Sequence, residues 1–294
     1  MLFPKIYRSI ELETRIHIIG LVVPDLTDTH FAEVARGVAR VLQPAGYTVL
    51  ISNSEGDAEC ERQAIDLLLS CSHVDGLILA SAQTPDETAL FRRIEKHKLP
   101  YVLIDRAFPE AGASYVGADD EEIGSVATEH LISRGCRHIA HIRGPETSTG
   151  VGRSKGYAAA LARHGLKAPA GYMAGGGSND VAGYDAMRRL LSVNPRLDGV
   201  VCFNDAVAVG AIKAILEAGL EVPYDIEVVG AGNVHYSDIL RVPLSTIDLN
   251  SSTMGERAAE VLLRTMESGE PLPAQRVLIP FELVARESSK AVAV

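Results

Sequence analysis

The stretch IHIIGLVVPDLTDTHFAEVARGVARVL, residues 16–42, combines the pattern of a buried strand with that of an amphipathic helix. Its first eight residues are a nearly continuous apolar run, which is typical of a parallel strand covered on both faces. The part that follows places five apolar residues on one helical face: Phe31, Val34, Val38, Val41 and Leu42. A strand followed directly by an amphipathic helix is half of a βαβ unit, so this stretch predicts an α/β protein.

The same alternation continues along the chain and predicts two parallel sheets with right-handed crossovers. Further strands are predicted at residues 47–51, 74–80, 100–105, 137–142, 197–203 and 225–231, with a weak one within 171–180. Further helices are predicted at residues 58–70, 84–97, 154–164, 180–191 and 205–218. The helix at 84–97 would begin with a capping box, because Thr84, Pro85 and Glu87 have the required spacing.

The two halves of the chain repeat short motifs at one spacing. Asp75-Gly76 and Asp198-Gly199 are 123 residues apart, and so are Pro100-Tyr101 and Pro223-Tyr224. Matches in register predict two similar lobes. We expect residues 14–117 and 248–271 to form the first lobe, 118–247 and 272–289 the second, and 1–13 and 290–294 tails. The strand at 244–248, the helix at 254–265 and two strands around Pro280 lie outside the repeat and are expected to cross between the lobes.

Composition narrows the class of protein. The 294 residues carry 28 Lys and Arg against 38 Asp and Glu, a net charge of −10. This balance argues against a chain that wraps nucleic acid by itself, since phosphate binding needs clustered cations. No apolar run approaches the length of a membrane span, and the N-terminus lacks a secretory apolar region, so we expect a cytoplasmic protein. The four cysteines form no CxxC pair and are expected to be reduced, buried thiols.

Polar residues follow the predicted strands. Ligands of open parallel sheets bind beyond the carboxyl ends of the strands, so these residues are candidates for a site between the lobes. The candidates are Asp28, His30, Phe31, Asp105, Arg106, Asp119, Arg153, Asn204, Asp205 and Asn233. They suit a polar small molecule with hydroxyl or carboxylate groups. Alternatively, the Asp and Asn residues only cap the helices that follow. Helix capping does not explain Arg153, because an Arg near a helix N-terminus is unfavourable with respect to the helix dipole.

Motifs for catalysis and for metal or cofactor binding are weak. GRSKG, residues 152–156, fits the nucleophile elbow, but no strand directly precedes it and Ser154 should already be helical. The glycines of residues 150–156 do not have dinucleotide-binding spacing. His138 and His141 are three apart on a strand and face opposite sides, so they cannot share a metal. We therefore expect no enzyme, no metal site and no cofactor.

The chain resembles the effector-binding core of the LacI/GalR family of bacterial transcription regulators. The resemblance rests on IIGLVVPDLTDTHFAEVARGV (18–38), VDGLILA (74–80), LPYVLIDR (99–106), GRSKGYAAAL (152–161) and CFNDAVAVGAIKAILEAGLEVPYDIEVVG (202–230), and extends to Ser288. It implies two lobes of the type I periplasmic-binding-protein fold joined by three crossovers, a small effector between them, and a homodimer without catalysis. It assigns ligand contacts to Arg153, Asn204 and Asp119, and first-lobe contacts to Asp28, His30 and Phe31.

Three positions depart from the family pattern. Ala231, Gly232 and Asn233 replace an aromatic-Asp-Asp run, the loop 175–180 lacks an aromatic residue, and Leu249 replaces a frequent Gln. These changes predict an effector other than a stacked pyranose.

Only about fifteen residues precede the first strand, too few for the family's helix-turn-helix headpiece, so we expect operator binding only through a headpiece absent from this chain. The alternatives are a solute-binding protein and a headless small-molecule sensor of the same fold.

Overall fold

The computed structural model describes residues 17–70, 74–83, 89–167, 169–268 and 272–289. Two six-stranded sheets are each covered by helices, which confirms the predicted α/β fold with two lobes. The strands are β1 (His17–Val23), β2 (Tyr47–Asn53), β3 (Val74–Leu79), β4 (Tyr101–Ile104), β5 (Ser114–Gly117), β6 (Ile139–Arg143), β7 (Met173–Gly175), β8 (Gly199–Cys202), β9 (Glu227–Ala231), β10 (Ser245–Asp248), β11 (Arg276–Leu278) and β12 (Glu282–Val284). The helices are α1 (Thr29–Leu42), α2 (Ala58–Ser70), α3 (Ala89–Lys96), α4 (Asp120–Arg134), α5 (Ser148–Arg163), α6 (Asp180–Val193), α7 (Asp205–Glu217) and α8 (Ser251–Glu267).

The chain crosses between the two sheets three times. The first sheet has the order β11-β5-β4-β3-β1-β2 and the second β12-β10-β9-β8-β6-β7. The crossovers follow β5, β10 and β11, and α8 returns to pack on α1 and on the first sheet. Neighbouring strands in the two described sheets are parallel except β12 and β10, which are antiparallel. The three predicted crossovers are confirmed.

Several elements differ from the sequence-based expectation. β5 and α4 were not predicted, since β5 has only four residues and α4 packs against both a sheet and α5, which weakens its one-sided apolar pattern. α5 begins at Ser148 rather than at Ser154, because Thr147 caps it and its glycines obscured the helical pattern. The capping box at residues 84–87 lies outside the described residues.

One part of the predicted lobe division is wrong. Residues 276–278 were placed in the second lobe, but this strand pairs with β5 of the first sheet, whereas β12 pairs with β10 of the second. Pro280 separates the two strands, so a segment of a few residues serves both lobes. The other boundaries stay predictions.

The repeated Asp-Gly motif has the same structural role in both lobes. Asp75, at the start of β3, accepts a hydrogen bond from the backbone N–H of Ile18 at 3.2 Å. Asp198, before β8, accepts bonds from the backbone N–H groups of His138 and Arg137 at 2.8 and 2.9 Å. The registers agree, since Ile19 pairs with Gly76 and Ile139 with Gly199. The Pro-Tyr match is not equivalent, because Tyr101 begins β4 while residues 223–224 lie in a turn before β9.

Equivalent helix pairs also cross at glycines. A Cβ on Gly255 of α8 would lie 2.1 Å from the carbonyl oxygen of Val34, and one on Gly37 of α1 would lie 2.0 Å from that of Ser252. In the second lobe, a Cβ on Gly124 of α4 would lie 2.1 Å from the carbonyl oxygen of Arg153. A Cβ on Gly156 of α5 would overlap the carbonyl oxygen of Glu121. Both pairs therefore pack with their backbones in contact.

The cysteines are only partly as expected. Cys136 and Cys202 are buried free thiols, but Cys60 is exposed, because it lies on the outer face of α2. Cys71 lies outside the described residues. Among the helices that the structure describes, none has the length and apolarity of a membrane span.

Candidate functional site

A cavity of about 870 Å³ lies between the lobes, at the carboxyl ends of the strands of both sheets. It is lined by the segments that follow β1, β2, β3 and β4 in the first lobe and β6, β7, β8, β9 and β10 in the second. Of the candidate residues, the lining includes Asp28, His30, Phe31, Asp105, Arg106, Arg153, Asn204 and Asp205. The other two candidates, Asp119 and Asn233, are not part of it.

Asp28 and Asn204 connect the two walls. Asp28 caps α1, since one carboxylate oxygen accepts the backbone N–H of His30 at 2.9 Å, and its other oxygen lies 3.4 Å from Asn204 Nδ2. Asn204 caps α7 by accepting the N–H of Val207 at 2.9 Å, and its Nδ2 also donates to the carbonyl of Ser178 at 2.8 Å. Both residues cap a helix and also face the cleft, so helix capping and ligand contact are compatible at these positions.

His30 forms a buried pair with Asp105. Its Nδ1 lies 2.8 Å from Ser251 Oγ, and its Nε2 lies 3.4 Å from an Asp105 oxygen. Burial lowers the pKa of His30, but the carboxylates of Asp105 and Asp28 more than offset this and raise it. Burial raises the pKa of Asp105, yet His30, Arg106 and Arg153 bring it below its usual value. Both pKa shifts favour the charged forms of His30 and Asp105.

Arg106 joins this wall to a second buried carboxylate. Its Nη1 donates to the carbonyl of Ser81 at 2.9 Å, while its Nε, within the described part of the chain, has no hydrogen-bond partner. Burial lowers the pKa of the guanidinium. Glu61, which is fully buried, accepts bonds from Ser81 Oγ at 2.6 Å and from the Ala82 N–H, and burial raises its pKa. The Arg106 guanidinium therefore retains donor capacity for a ligand.

Arg153 is the cation of the second wall. Its Nε donates to Asp120 at 2.9 Å, its Nη1 donates to the carbonyl of Phe203 at 2.6 Å, and the guanidinium lies 4.9 Å from the centre of the Phe203 ring. It is only 5% exposed. Because α5 begins at Ser148, Arg153 lies in the second helical turn, so the argument from an unfavourable helix dipole does not apply.

The crossover carboxylate that contacts Arg153 is Asp120, whereas Asp119 was predicted. Asp119 is exposed and caps α4, accepting the N–H of Glu122 at 3.1 Å. Burial raises the pKa of Asp120 to about 6, although Arg153 acts in the opposite direction. Two adjacent Asp residues offered no sequence signal for which would cap the helix and which would turn inward.

Asp205 and Asn233 serve the framework of the second lobe. Asp205 lines the cavity, but its carboxylate accepts the N–H of Val234 at 2.9 Å and the hydroxyl of Thr246 at 2.5 Å. Burial raises its pKa to about 6. Asn233 turns away from the cleft: its amide donates to Asp248 at 2.9 Å and accepts from Arg286 at 2.8 Å. It therefore ties the ends of β9 and β10 to the segment after β12.

Ser154 does not form a nucleophile elbow. Its hydroxyl donates to the Gly150 carbonyl at 2.8 Å and lies 3.2 Å from His141 Nε2, and it is not among the residues that line the cavity. His141 is fully buried, which lowers its pKa to about 4. The pair is a contact between β6 and α5 that lies outside the cavity.

Comparisons with known proteins agree with this architecture. Residues 16–287 match the family model described as periplasmic binding proteins and sugar binding domain of LacI family. The chain belongs to the LacI family. It is 35% identical over 286 residues to the ribose operon repressor of Escherichia coli (strain K12), covering 96% of this chain and 84% of that protein.

Solved structures of regulators superpose closely on this member of the family. A transcriptional regulator CelR–cellobiose complex has a TM-score of 0.84 at 28% identity, over 92% of this chain and 84% of that one. A LacI family regulator from Enterococcus faecium with bound ribose has a TM-score of 0.82 at 25% identity, over 94% and 100%. This chain is the effector-binding core of a transcription regulator.

Proposed function

We propose that this chain binds a small, sugar-like polar effector between its lobes and thereby controls transcription, without catalysing a reaction. The observation that carries the proposal is the set of donors and acceptors that both lobes direct into one cavity. Asp28 and Arg106 belong to the first lobe, Arg153 and Asn204 to the second. A ligand bound to all four would favour one closure of the lobes over others, which is a population shift.

The departures from the family pattern also bear on the effector. Gly232 and Leu249 line the cavity without offering a polar side chain, and the loop that contains Ser178 presents no aromatic ring to it. We infer that the effector is not a stacked pyranose and that Arg153 and Asn204 anchor it. Asp119 is exposed and caps α4, so we assign it no contact with the effector.

Binding is tested by calorimetry of the purified chain against a panel of pentoses and hexoses. We expect at least one sugar to bind, with affinity falling at least tenfold in Asn204→Ala and in Arg153→Ala. Glu129→Gln, at a half-buried position on α4 where the carboxylate pairs with Arg163 outside the cavity, is the control and should leave affinity unchanged. Ordinary pyranose binding that Arg153→Ala leaves unaffected would refute the proposed anchor.

We further propose that two copies associate through apolar side chains on one side of both lobes. Leu50 and Ile51 on β2 and Leu67 on α2 are 48%, 42% and 73% exposed, and Ile239 of the second lobe is 80% exposed. The second lobe also carries an apolar groove beside α7, lined by Ile212, Leu216, Leu240 and Val242 among others. Sedimentation should give a dimer that Leu67→Asp with Ile239→Asp converts to monomers; an unaltered mass would refute this interface.

Regulation would follow from coupling this dimer to DNA. Effector binding changes the relative position of the first lobes of the two protomers. A helix-turn-helix headpiece joined to each first lobe would then match or fail to match the spacing of two DNA half-sites. The operator and effector affinities must be coupled reciprocally. We place the protein in the cytoplasm, where such a regulator meets both DNA and metabolites.

A further inference from the structure

The second-lobe wall of the cavity changes from polar to apolar across its sheet. On the side of β7, β6 and β8, the lining is mainly polar, with Ser178, Arg153 and Asn204, and it includes the Phe203 ring beside Arg153. On the side of β9 and β10, the lining side chains are apolar apart from the buried Asp205 and the hydroxyl of Tyr236 at the rim. They are Ala206, Val209, Ala231, Val234, Tyr236 and Leu249.

The polar groups of this apolar side are committed elsewhere. Both carboxylate oxygens of Asp205 already accept hydrogen bonds, from Thr246 and Val234, and the residue is 1% exposed. Asn233 points out of the cleft toward Asp248 and Arg286. A ligand hydroxyl placed against Val209, Val234 and Leu249 would lose its water without gaining a side-chain partner, which is unfavourable.

The described part of the first lobe presents a mainly polar face to the cavity, and its apolar lining residues Pro24, Phe31 and Ala82 come from the segments after β1 and β3. The segments after β1, β2, β3 and β4 present Asp28, Glu55, Gln83 and Arg106 to it. The largest group of apolar lining side chains is therefore the one beside β9 and β10. Its volume of about 870 Å³ falls in the range of cavities that enclose drug-sized ligands, and so leaves room beyond a single sugar ring.

Resting on the proposed function, we propose that the effector is amphipathic: a sugar-like polyol that carries an apolar substituent. The polyol is held by Arg153, Asn204 and Asp28. The substituent, an alkyl or aryl group or a methyl in place of a hydroxymethyl, lies against Val209, Val234 and Leu249. Specificity then comes from the apolar side, because a bare sugar leaves that wall facing water.

The test measures the affinities of matched pairs by calorimetry. Each pentose and hexose is compared with its phenyl glycoside, and each hexose also with its 6-deoxy analogue. We expect at least one derivative to bind tenfold or more tightly than its parent sugar, since apolar complementarity of this size gives such ratios. Val209→Thr, which adds a hydroxyl with little change of shape, should reduce the advantage of that derivative over its parent sugar at least threefold.

Val193→Thr is the matched control, since it makes the same substitution at a position on α6 that is 63% exposed. If parent sugars bind as tightly as their derivatives in every pair, the inference is overturned while the proposed function stands. If derivatives bind tightly but Val209→Thr behaves like the control, the assignment to this wall is overturned. If neither sugars nor derivatives bind, the proposed function fails and the inference fails with it.

Discussion

The two lobes use the same helix crossing for different purposes. In the first lobe, Gly255 packs on the backbone of Val34, whose side chain is fully buried in the core. In the second lobe, Gly124 packs in the same way on Arg153, whose guanidinium reaches Asp120 and the cavity. A cation therefore occupies the position of a core valine.

The difference separates residues that build the lobes from residues that serve the ligand. Features present twice, such as the glycines of the crossing and the Asp75 and Asp198 clamps, hold equivalent backbones together. Arg153 and Asp120 have no counterparts in the first lobe, and a buried ion pair contributes little net stability. Their presence is explained by the cavity that they face.

The largest expected effect is that of removing the cation alone. Arg153→Val should lower the free energy of unfolding by about 3–5 kcal/mol, because it leaves Asp120 buried without its partner. Urea denaturation followed by circular dichroism measures this change. A loss below about 1 kcal/mol would show that the pair is not buried as described.

A double variant, Arg153→Val with Asp120→Ser, gives this crossing the residues of the first-lobe crossing. Val34 is the counterpart of Arg153, and Ser251 is the counterpart of Asp120. It should regain most of the stability that the single variant loses, since the uncompensated charge is gone. Effector affinity should stay at least tenfold below that of the wild type. Recovery of binding together with stability would contradict the assignment of Arg153 to the ligand.

The next effect is a pH dependence of the second-lobe crossing that arises from Asp120. Asp120 has a pKa of about 6 when folded and its ordinary value near 4 when unfolded. Between these values the unfolded chain ionises while the folded chain keeps the proton, so the contribution of Asp120 to stability falls as the pH rises. The wild type should lose on the order of 2 kcal/mol relative to Asp120→Asn between pH 4 and 6.

This difference is measured by urea denaturation of both proteins at half-unit pH steps. Asp205, which titrates in the same window, is present in both proteins and cancels in the difference. A difference that stays flat, or that changes in the opposite direction, would contradict the buried state of Asp120.

Alanine at the crossing glycines should cost a similar amount in both lobes. Gly37→Ala and Gly156→Ala each place a Cβ on a backbone carbonyl oxygen, so each should destabilise by about 2 kcal/mol despite the better helix propensity of alanine. Thermal unfolding compares them with Ala158→Ser on the exposed side of α5, which should change stability by less than about 0.5 kcal/mol. Unequal costs would mean that the crossings are not equivalent.

The smallest effect concerns the repeated Asp clamps. Asp75→Ala and Asp198→Ala should each lower stability by about 1–2 kcal/mol, since each removes a carboxylate that accepts backbone hydrogen bonds. Neither should alter effector affinity, because both residues lie at the amino-terminal ends of the strands, away from the cleft. A change of affinity above threefold in either variant would contradict the claim that Asp75 and Asp198 stabilise the lobes without contributing to effector binding.

Sequence patterns predicted the lobes and most of the cleft, because buried parallel strands are apolar runs and polar residues at their carboxyl ends must converge. They could not choose between Asp119 and Asp120, which differ only in helical phase. They also misplaced Asn233, since its left-handed backbone and its partners Asp248 and Arg286, the latter 53 residues away, turn it out of the cleft. Such choices depend on tertiary contacts.

The central claim is that the effector lies between the lobes and contacts both. A crystal structure of the chain with its effector tests this most directly. We predict ligand density in the cavity, within hydrogen-bond distance of Arg153 and Asn204 in the second lobe and of Asp28 in the first. Density outside the cavity, or bound to the residues of one lobe only, would contradict the account.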